Sequence, residues 1–159
     1  MNKITPCLWF EKEAEAAANY YVSLLPDSRI VQVQKSPTDY PGGKAGAVLV
    51  VYFTLAGQSY MALNGGTTLE YNNCVSFMID CKDQEEVDRL WRRILADGGS
   101  EVECGWIRDK FKVPWQIIPS DLLHMMADPD PARVKRVFAA MMTMVKIDVA
   151  ALHKAYAGD

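Results

Sequence analysis

Residues 75–95 read Val75-Ser76-Phe77-Met78-Ile79-Asp80-Cys81-Lys82-Asp83-Gln84-Glu85-Glu86-Val87-Asp88-Arg89-Leu90-Trp91-Arg92-Arg93-Ile94-Leu95, and this stretch decides the fold. Its first third, residues 75–81, is a short apolar segment of strand character. Asp83 then stands where a helix N-cap belongs, with Glu86 three residues on in the capping-box position. Val87, Leu90, Trp91, Ile94 and Leu95 recur at helical spacing and form one buried stripe. Glu85 with Arg89, and Asp88 with Arg92, are i,i+4 pairs on the wet side. Gly98-Gly99 ends the helix. Short strand candidates follow at 101–104, 106–108 and 115–118.

The same order precedes this stretch. Residues 5–10 read as a strand and 12–25 as a helix, with Ala14, Ala17, Ala18, Tyr21, Leu24 and Leu25 on one stripe until Pro26 stops it. Strands are expected at 28–34, 47–55 and 58–64. Residues 36–46, rich in Pro and Gly, form a loop, Ala56-Gly57 turns the chain, and 65–73 is a connector. Strand, helix, then three strands thus occurs twice, offset by about 70 residues, as a repeat of element order rather than of sequence. Each copy has one sheet with an apolar face and one helix to cover it.

The tail differs. Residues 121–127 form a helical turn. Asp130 is an N-cap with Pro131 at the first helical position. A stripe of Val134, Val137, Phe138, Met141 and Met142 follows. Asp148 caps a last helix carrying Ala151, Leu152, Ala155 and Tyr156.

The chain has 159 residues, half of them hydrophobic and 23% charged, which suits a folded globular protein and excludes disorder. One domain, or two very small halves, is expected. Seventeen basic against twenty acidic residues leave no cationic excess for a nucleic-acid partner. The longest apolar run, 45–55, falls short of the roughly 20 residues of a membrane span. Residues 1–6 contain no apolar export segment. The four cysteines, Cys7, Cys74, Cys81 and Cys104, show no C-x-x-C spacing, which removes zinc-ribbon and thioredoxin-like readings; with no export segment, reduced thiols and a cytoplasmic location are expected.

Few residues announce chemistry. The two histidines, His124 and His153, both fall in the helical tail, where exposed or boundary positions are expected. Metalloprotease, EF-hand, phosphate-loop and nucleophile-elbow motifs are missing. Trp91 belongs to the core stripe. Trp9 shares a strand face with Thr5 and Cys7, opposite Leu8 and Phe10. A strand apolar on both faces is either buried twice or lines a ligand pocket.

Several stretches together resemble a known family: Ile4-Thr5-Pro6-Cys7-Leu8-Trp9-Phe10, Leu25-Pro26-Asp27-Ser28-Arg29-Ile30, Met61-Ala62-Leu63-Asn64-Gly65-Gly66, Cys104-Gly105-Trp106, Asp109-Lys110-Phe111 and Trp115-Gln116-Ile117. The chain is similar to the PhnB-like family, often labelled 3-demethylubiquinone-9 3-methyltransferase. That family belongs to the vicinal-oxygen-chelate superfamily with glyoxalase I, extradiol dioxygenases and bleomycin-resistance proteins. The resemblance implies an α+β fold of paired βαβββ modules, about 1–66 and 74–120, making one glyoxalase-like domain over 1–120. A C-terminal helical extension occupies 121–159. One departure is Lys112, where related sequences usually have Gly in a turn.

Members with metal chemistry carry His and Glu ligands on the concave sheet face. By strand order these positions fall near Thr5, near Tyr60 or Ala62, near Cys74, and on Gln116. None is His or Glu, and Thr, Tyr and Gln are poor ligands for divalent transition metals. The metal site is therefore read as lost, with no metal and no cofactor expected. The methyltransferase label lacks support from a glycine-rich nucleotide loop. What the resemblance leaves is a concave face of Thr5, Cys7, Trp9, Tyr60, Asn64, Cys74, Ser76, Met78, Trp106 and Gln116, suited to a small, partly aromatic organic molecule. Cys7 and Cys74 lack a neighbouring activator and read as packing thiols. The expected function is small-molecule binding without metal catalysis. The alternatives are a metal-assisted lyase, isomerase or dioxygenase of the superfamily, or a methyltransferase acting on a quinone-like phenol. The resemblance and the Met-rich stripe of the tail favour a homodimer.

Overall fold

The computed structural model describes residues 3–158; residues 1, 2 and 159 lie outside the description, and with them the start of the stretch read for an export signal. The chain divides into two compact units, Met1–Glu70 and Tyr71–Asp159. Among the described residues, two four-stranded sheets and five helices form an α+β fold.

Unit 1 contains β1 (Cys7–Phe10), α1 (Ala14–Val22), β2 (Arg29–Lys35), β3 (Val48–Leu55) and β4 (Gln58–Asn64). Its strand order is β1-β4-β3-β2, with β1 parallel to β4 and the other pairs antiparallel. Helix α1 is shorter than the 12–25 read from sequence and stops before Pro26. It packs on one face of the sheet, where Leu8, Phe10, Val51, Phe53 and Ala62 are all buried. Residues paired in register share a face. The pairs Leu8–Ala62 and Phe10–Asn64 therefore place β1 and β4 side chains together under the helix. The β3–β4 turn has positive φ at both Ala56 (46°) and Gly57 (77°), as a tight hairpin matching strand twist requires. Ala56 tolerates it while its N–H donates to Ser28 Oγ at 3.0 Å.

Unit 2 repeats the plan with β5 (Phe77–Cys81), α2 (Gln84–Ala96), β6 (Ser100–Glu101), β7 (Trp106–Arg108) and β8 (Pro114–Pro119). The order is β5-β8-β7-β6, and β5 runs parallel to β8, so the sheet topology is that of unit 1. The capping box is present: Glu86 N–H donates to Asp83 Oδ1 at 2.9 Å, and Lys82 N–H donates to Glu86 Oε2 at 2.9 Å. Two surface pairs differ from expectation. Arg89 meets Glu86, and the Asp88 carboxylate takes Lys146 instead, an ion pair that holds its carboxyl below the usual range.

The strand expected at 101–104 shrinks to the end of Ser100–Glu101. Cys104 and Gly105 adopt φ of 54° and 81°, which breaks the extended backbone. Between β7 and β8, Lys112 takes φ of 69°. A positive φ of this size suits Gly best, in keeping with the Gly that the family resemblance leads one to expect there. Asp109 holds the turn: it is fully buried and accepts from Phe111 N–H (2.8 Å), Val113 N–H (3.1 Å) and Trp115 Nε1 (2.9 Å).

The tail forms α3 (Ser120–Met126), α4 (Pro131–Met141) and α5 (Val149–Ala157) within unit 2. Ile118, Leu122, Met125, Val137, Ile147 and Leu152 make its core. The stripe read on α4 splits accordingly. Val137 is buried and Met141 packs on that core, whereas Phe138 and Met142 are 48% and 53% exposed. Asp130 caps α4 and Asp148 caps α5 through their side chains. All four cysteines are free. Among the described residues no helix is long and apolar enough to cross a membrane.

Candidate functional site

Strand alternation divides the residues read as one site. In unit 1, Cys7 and Trp9 lie on the face turned away from α1, paired with Met61 and Leu63. Tyr60 and Asn64 have the opposite parity and belong to the helix-covered face. Asn64 is a correction to the sequence reading: it is buried, accepts from Ala14 N–H at 2.8 Å and donates to Val48 O at 2.9 Å. Its amide completes the start of α1, whose N-cap residue makes no side-chain cap bond, and it lies on the helix-covered face rather than the open one. Tyr60 is likewise corrected off the face of Cys7 and Trp9. It stacks on Phe53 at 5.5 Å, and Phe53 stacks on Tyr21 of α1 at 6.1 Å.

Trp9 is anchored. Its Nε1 donates to Thr67 O at 2.8 Å, and its ring covers Gly65 so closely that a Cβ there would lie 1.8 Å from Cζ2. A glycine at 65 is thus what lets the indole lie down on the open sheet face.

A cleft of about 240 Å³ opens within unit 1. Thr5 and Tyr60 line it; the family resemblance sets metal-ligand positions near Thr5 and near Tyr60 or Ala62, and Ala62 is buried outside the cleft lining. Tyr52 adds an aromatic wall, Val31 an aliphatic one, and Thr54 and Ser59 hydroxyls; Phe53 and Tyr60 also border it, although alternation gives their side chains to the helix-covered face. Arg29, at the start of β2 and in register with Thr54, supplies its one cation. The Thr54 hydroxyl oxygen is buried with no hydrogen-bond partner. An unmade hydrogen bond of this kind costs about 1–3 kcal/mol. Burial pushes the Tyr60 phenol up, so it stays a neutral donor at physiological pH. The sequence reading missed Arg29, Tyr52, Thr54 and Ser59. The signal was present in β3, where Tyr52 and Thr54 alternate with buried Val51, Phe53 and Leu55.

In unit 2 the register brings Met78, Gln116 and Trp106 abreast on one face, opposite the buried Ile79, Ile107 and Ile117. Gln116 Nε2 donates to Ser76 Oγ at 2.8 Å, which adds Ser76 to this group. Met78 is half exposed. Cys74 stands apart, exposed in the connector, its N–H donating to Asn72 Oδ1. A smaller cavity of about 210 Å³ in the tail is lined by both histidines, with His153 Nε2 2.8 Å from Asp121 Oδ2.

The donor set does not fit a transition metal. Thr5 and Tyr60 offer only hydroxyls and Gln116 only a neutral amide oxygen, all weak donors for such an ion. Among the described residues no three His, Cys, Asp or Glu side chains are placed to share an ion. Thiolate chemistry is no better served. Burial pushes the Cys7 thiol up, and burial chiefly, with Glu86 and Asp80, pushes Cys81 up to about 12.

A sequence model of the 3-demethylubiquinone-9 3-methyltransferase family matches residues 2–118. Among solved structures, the chain is similar to a PhnB protein from Bacillus cereus carrying the same methyltransferase label. Identity is 32% over 74% of this chain and 99% of that one, with a TM-score of 0.66. It is also similar to a protein from Pseudomonas aeruginosa, at 19% identity, 75% and 98% coverage, and a TM-score of 0.61. The fosfomycin resistance protein FosX of Listeria monocytogenes matches at 14% identity, 75% and 93% coverage, and a TM-score of 0.50. These last two likenesses show the glyoxalase-like fold alone. No curated protein matches. Helices α4 and α5 lie beyond the part of the chain that the family pattern covers.

Proposed function

The chain belongs to the 3-demethylubiquinone-9 3-methyltransferase family, a PhnB-like branch of the vicinal-oxygen-chelate superfamily, and on that premise we propose that it binds a small organic molecule without a transition metal. One observation carries the reading. Thr5 and Tyr60, near which the resemblance sets ligand positions (the second at Tyr60 or Ala62), line a cleft whose other walls are aromatic and aliphatic side chains, hydroxyls and Arg29. Such walls suit an apolar or aromatic ligand oriented by a few polar contacts. Under this reading the open sheet faces, that of Cys7 and Trp9 in unit 1 and that of Ser76, Met78, Trp106 and Gln116 in unit 2, are ligand-contacting surfaces.

Thermal-shift screening against a library of small aromatic metabolites, with elemental analysis of protein purified without chelator, tests it. A ligand at roughly 100 times its Kd adds about 2.7 kcal/mol to stability. Stabilising hits weakened by Tyr52→Ala, with substoichiometric metal, are expected. Stoichiometric zinc, nickel or manganese that is lost on substituting a cleft residue overturns the reading in favour of a metal-assisted lyase, isomerase or dioxygenase. Tight S-adenosylmethionine binding in calorimetry overturns it in favour of a methyltransferase.

The same reading includes a homodimer. Phe138 on α4 and Met142 at its C-cap stand half exposed with Val145 close behind in sequence, apolar area that the tail's own core leaves uncovered. Sedimentation at micromolar concentration is expected to give one species near twice 17.8 kDa. A single species at the monomer mass rejects it.

A further inference from the structure

Resting on the reading of the unit 1 cleft as a ligand site, we infer that its ligand is a small planar aromatic anion, held through a carboxylate-type group on Arg29. Arg29 lines the cleft, and among the described residues its side chain forms no ion pair or hydrogen bond. A guanidinium is charged at any working pH and presents a fork that matches a carboxylate. The other polar side chains on its face of the sheet, Thr54 and Ser59, are neutral hydroxyls, as is Thr5, so among the described residues the lining carries a single positive charge and no carboxylate. An acidic ligand thus finds its counter-charge uncontested.

The rest of the ligand follows from the walls. Tyr52, on the same sheet face as Thr54 and Arg29, offers aromatic surface, against which a flat ring stacks. The volume, about 240 Å³, lies below the ~300–1,000 Å³ of drug-sized pockets and restricts the ligand to one or two rings.

Benzoate and its neutral isostere benzamide are the probes, titrated into the full chain while the backbone amide resonances of Arg29, Thr54 and Ser59 are followed by NMR. Benzoate is expected to shift these amides saturably with a Kd roughly tenfold or more below that of benzamide, the factor that one charge-assisted hydrogen bond supplies. The gap should narrow with added salt and disappear in Arg29→Gln, a change at an exposed position that leaves the core untouched. Equal binding of the two probes, or a preference that survives Arg29→Gln, overturns the inference and leaves the ligand-binding reading standing. If neither probe moves the cleft amides at millimolar concentration, both fall.

Discussion

Trp91→Ala is expected to lower the stability of unit 2 by about 3–5 kcal/mol, the range for deleting a buried indole. Trp91 is 3% exposed, on the face of α2 that also buries Val87, Leu90 and Ile94. Its Nε1 donates to Glu101 Oε1 at 2.8 Å, so one side chain both fills the space beneath the helix and ties α2 to β6. Truncation leaves a cavity that a sheet of fixed register can close only in part. A whole domain holds only about 5–15 kcal/mol, so the variant stands near the edge of folding. Urea denaturation followed by circular dichroism measures it. Trp91→Phe separates volume from hydrogen bond and should recover most of the loss. A cost below about 1 kcal/mol for the alanine variant would mean that α2 is not seated through this residue.

The second large effect is expected at Asp109. Its carboxylate, fully buried, gathers two backbone N–H groups and the Trp115 indole N–H around the turn in which Lys112 is left-handed. Asp109→Ala strands those donors where water does not replace the lost acceptor, and about 3–5 kcal/mol should go with it. Asp109→Asn restores shape but turns an amide N–H₂ toward at least one of the donors, so it rescues only in part. Circular dichroism during urea denaturation reads both variants, with intrinsic fluorescence of the four tryptophans as a second probe. Wild-type stability in Asp109→Ala would show that the turn is held by its backbone alone.

The parts of this molecule that were legible in its sequence are those with short-range causes. Asp83 and Glu86 are three residues apart, and their reciprocal capping follows from that spacing alone. Pro131 beside Asp130, and the helical stripe around Trp91, are equally local. The fold came from the order of such elements, which recurs in the two sheets as one strand order. The candidate site was less legible because it depends on parity and on distant partners. Alternation along β4 says that Tyr60, Ala62 and Asn64 share a face, but not which face. Asn64 looked like a polar group on an open surface, yet it caps a helix fifty residues upstream in sequence. Arg29 went unread for the converse reason. At a strand end it resembles any surface cation, and only its register with Thr54 brings it to the cleft.

Trp9 and Gly65 have a consequence for how such a chain can change over generations. Because the indole fills the volume that any side chain at 65 would need, the two positions form a single mutational unit. A substitution at 65 is tolerated only in a background that has already given up the indole. Losing the indole first sacrifices its bond to Thr67 and uncovers the neighbouring backbone. Each first step is unfavourable alone, so the pair forms a small ratchet: the open face of β1 can be rebuilt for a new ligand by exchanging both residues together, and hardly at all by exchanging either.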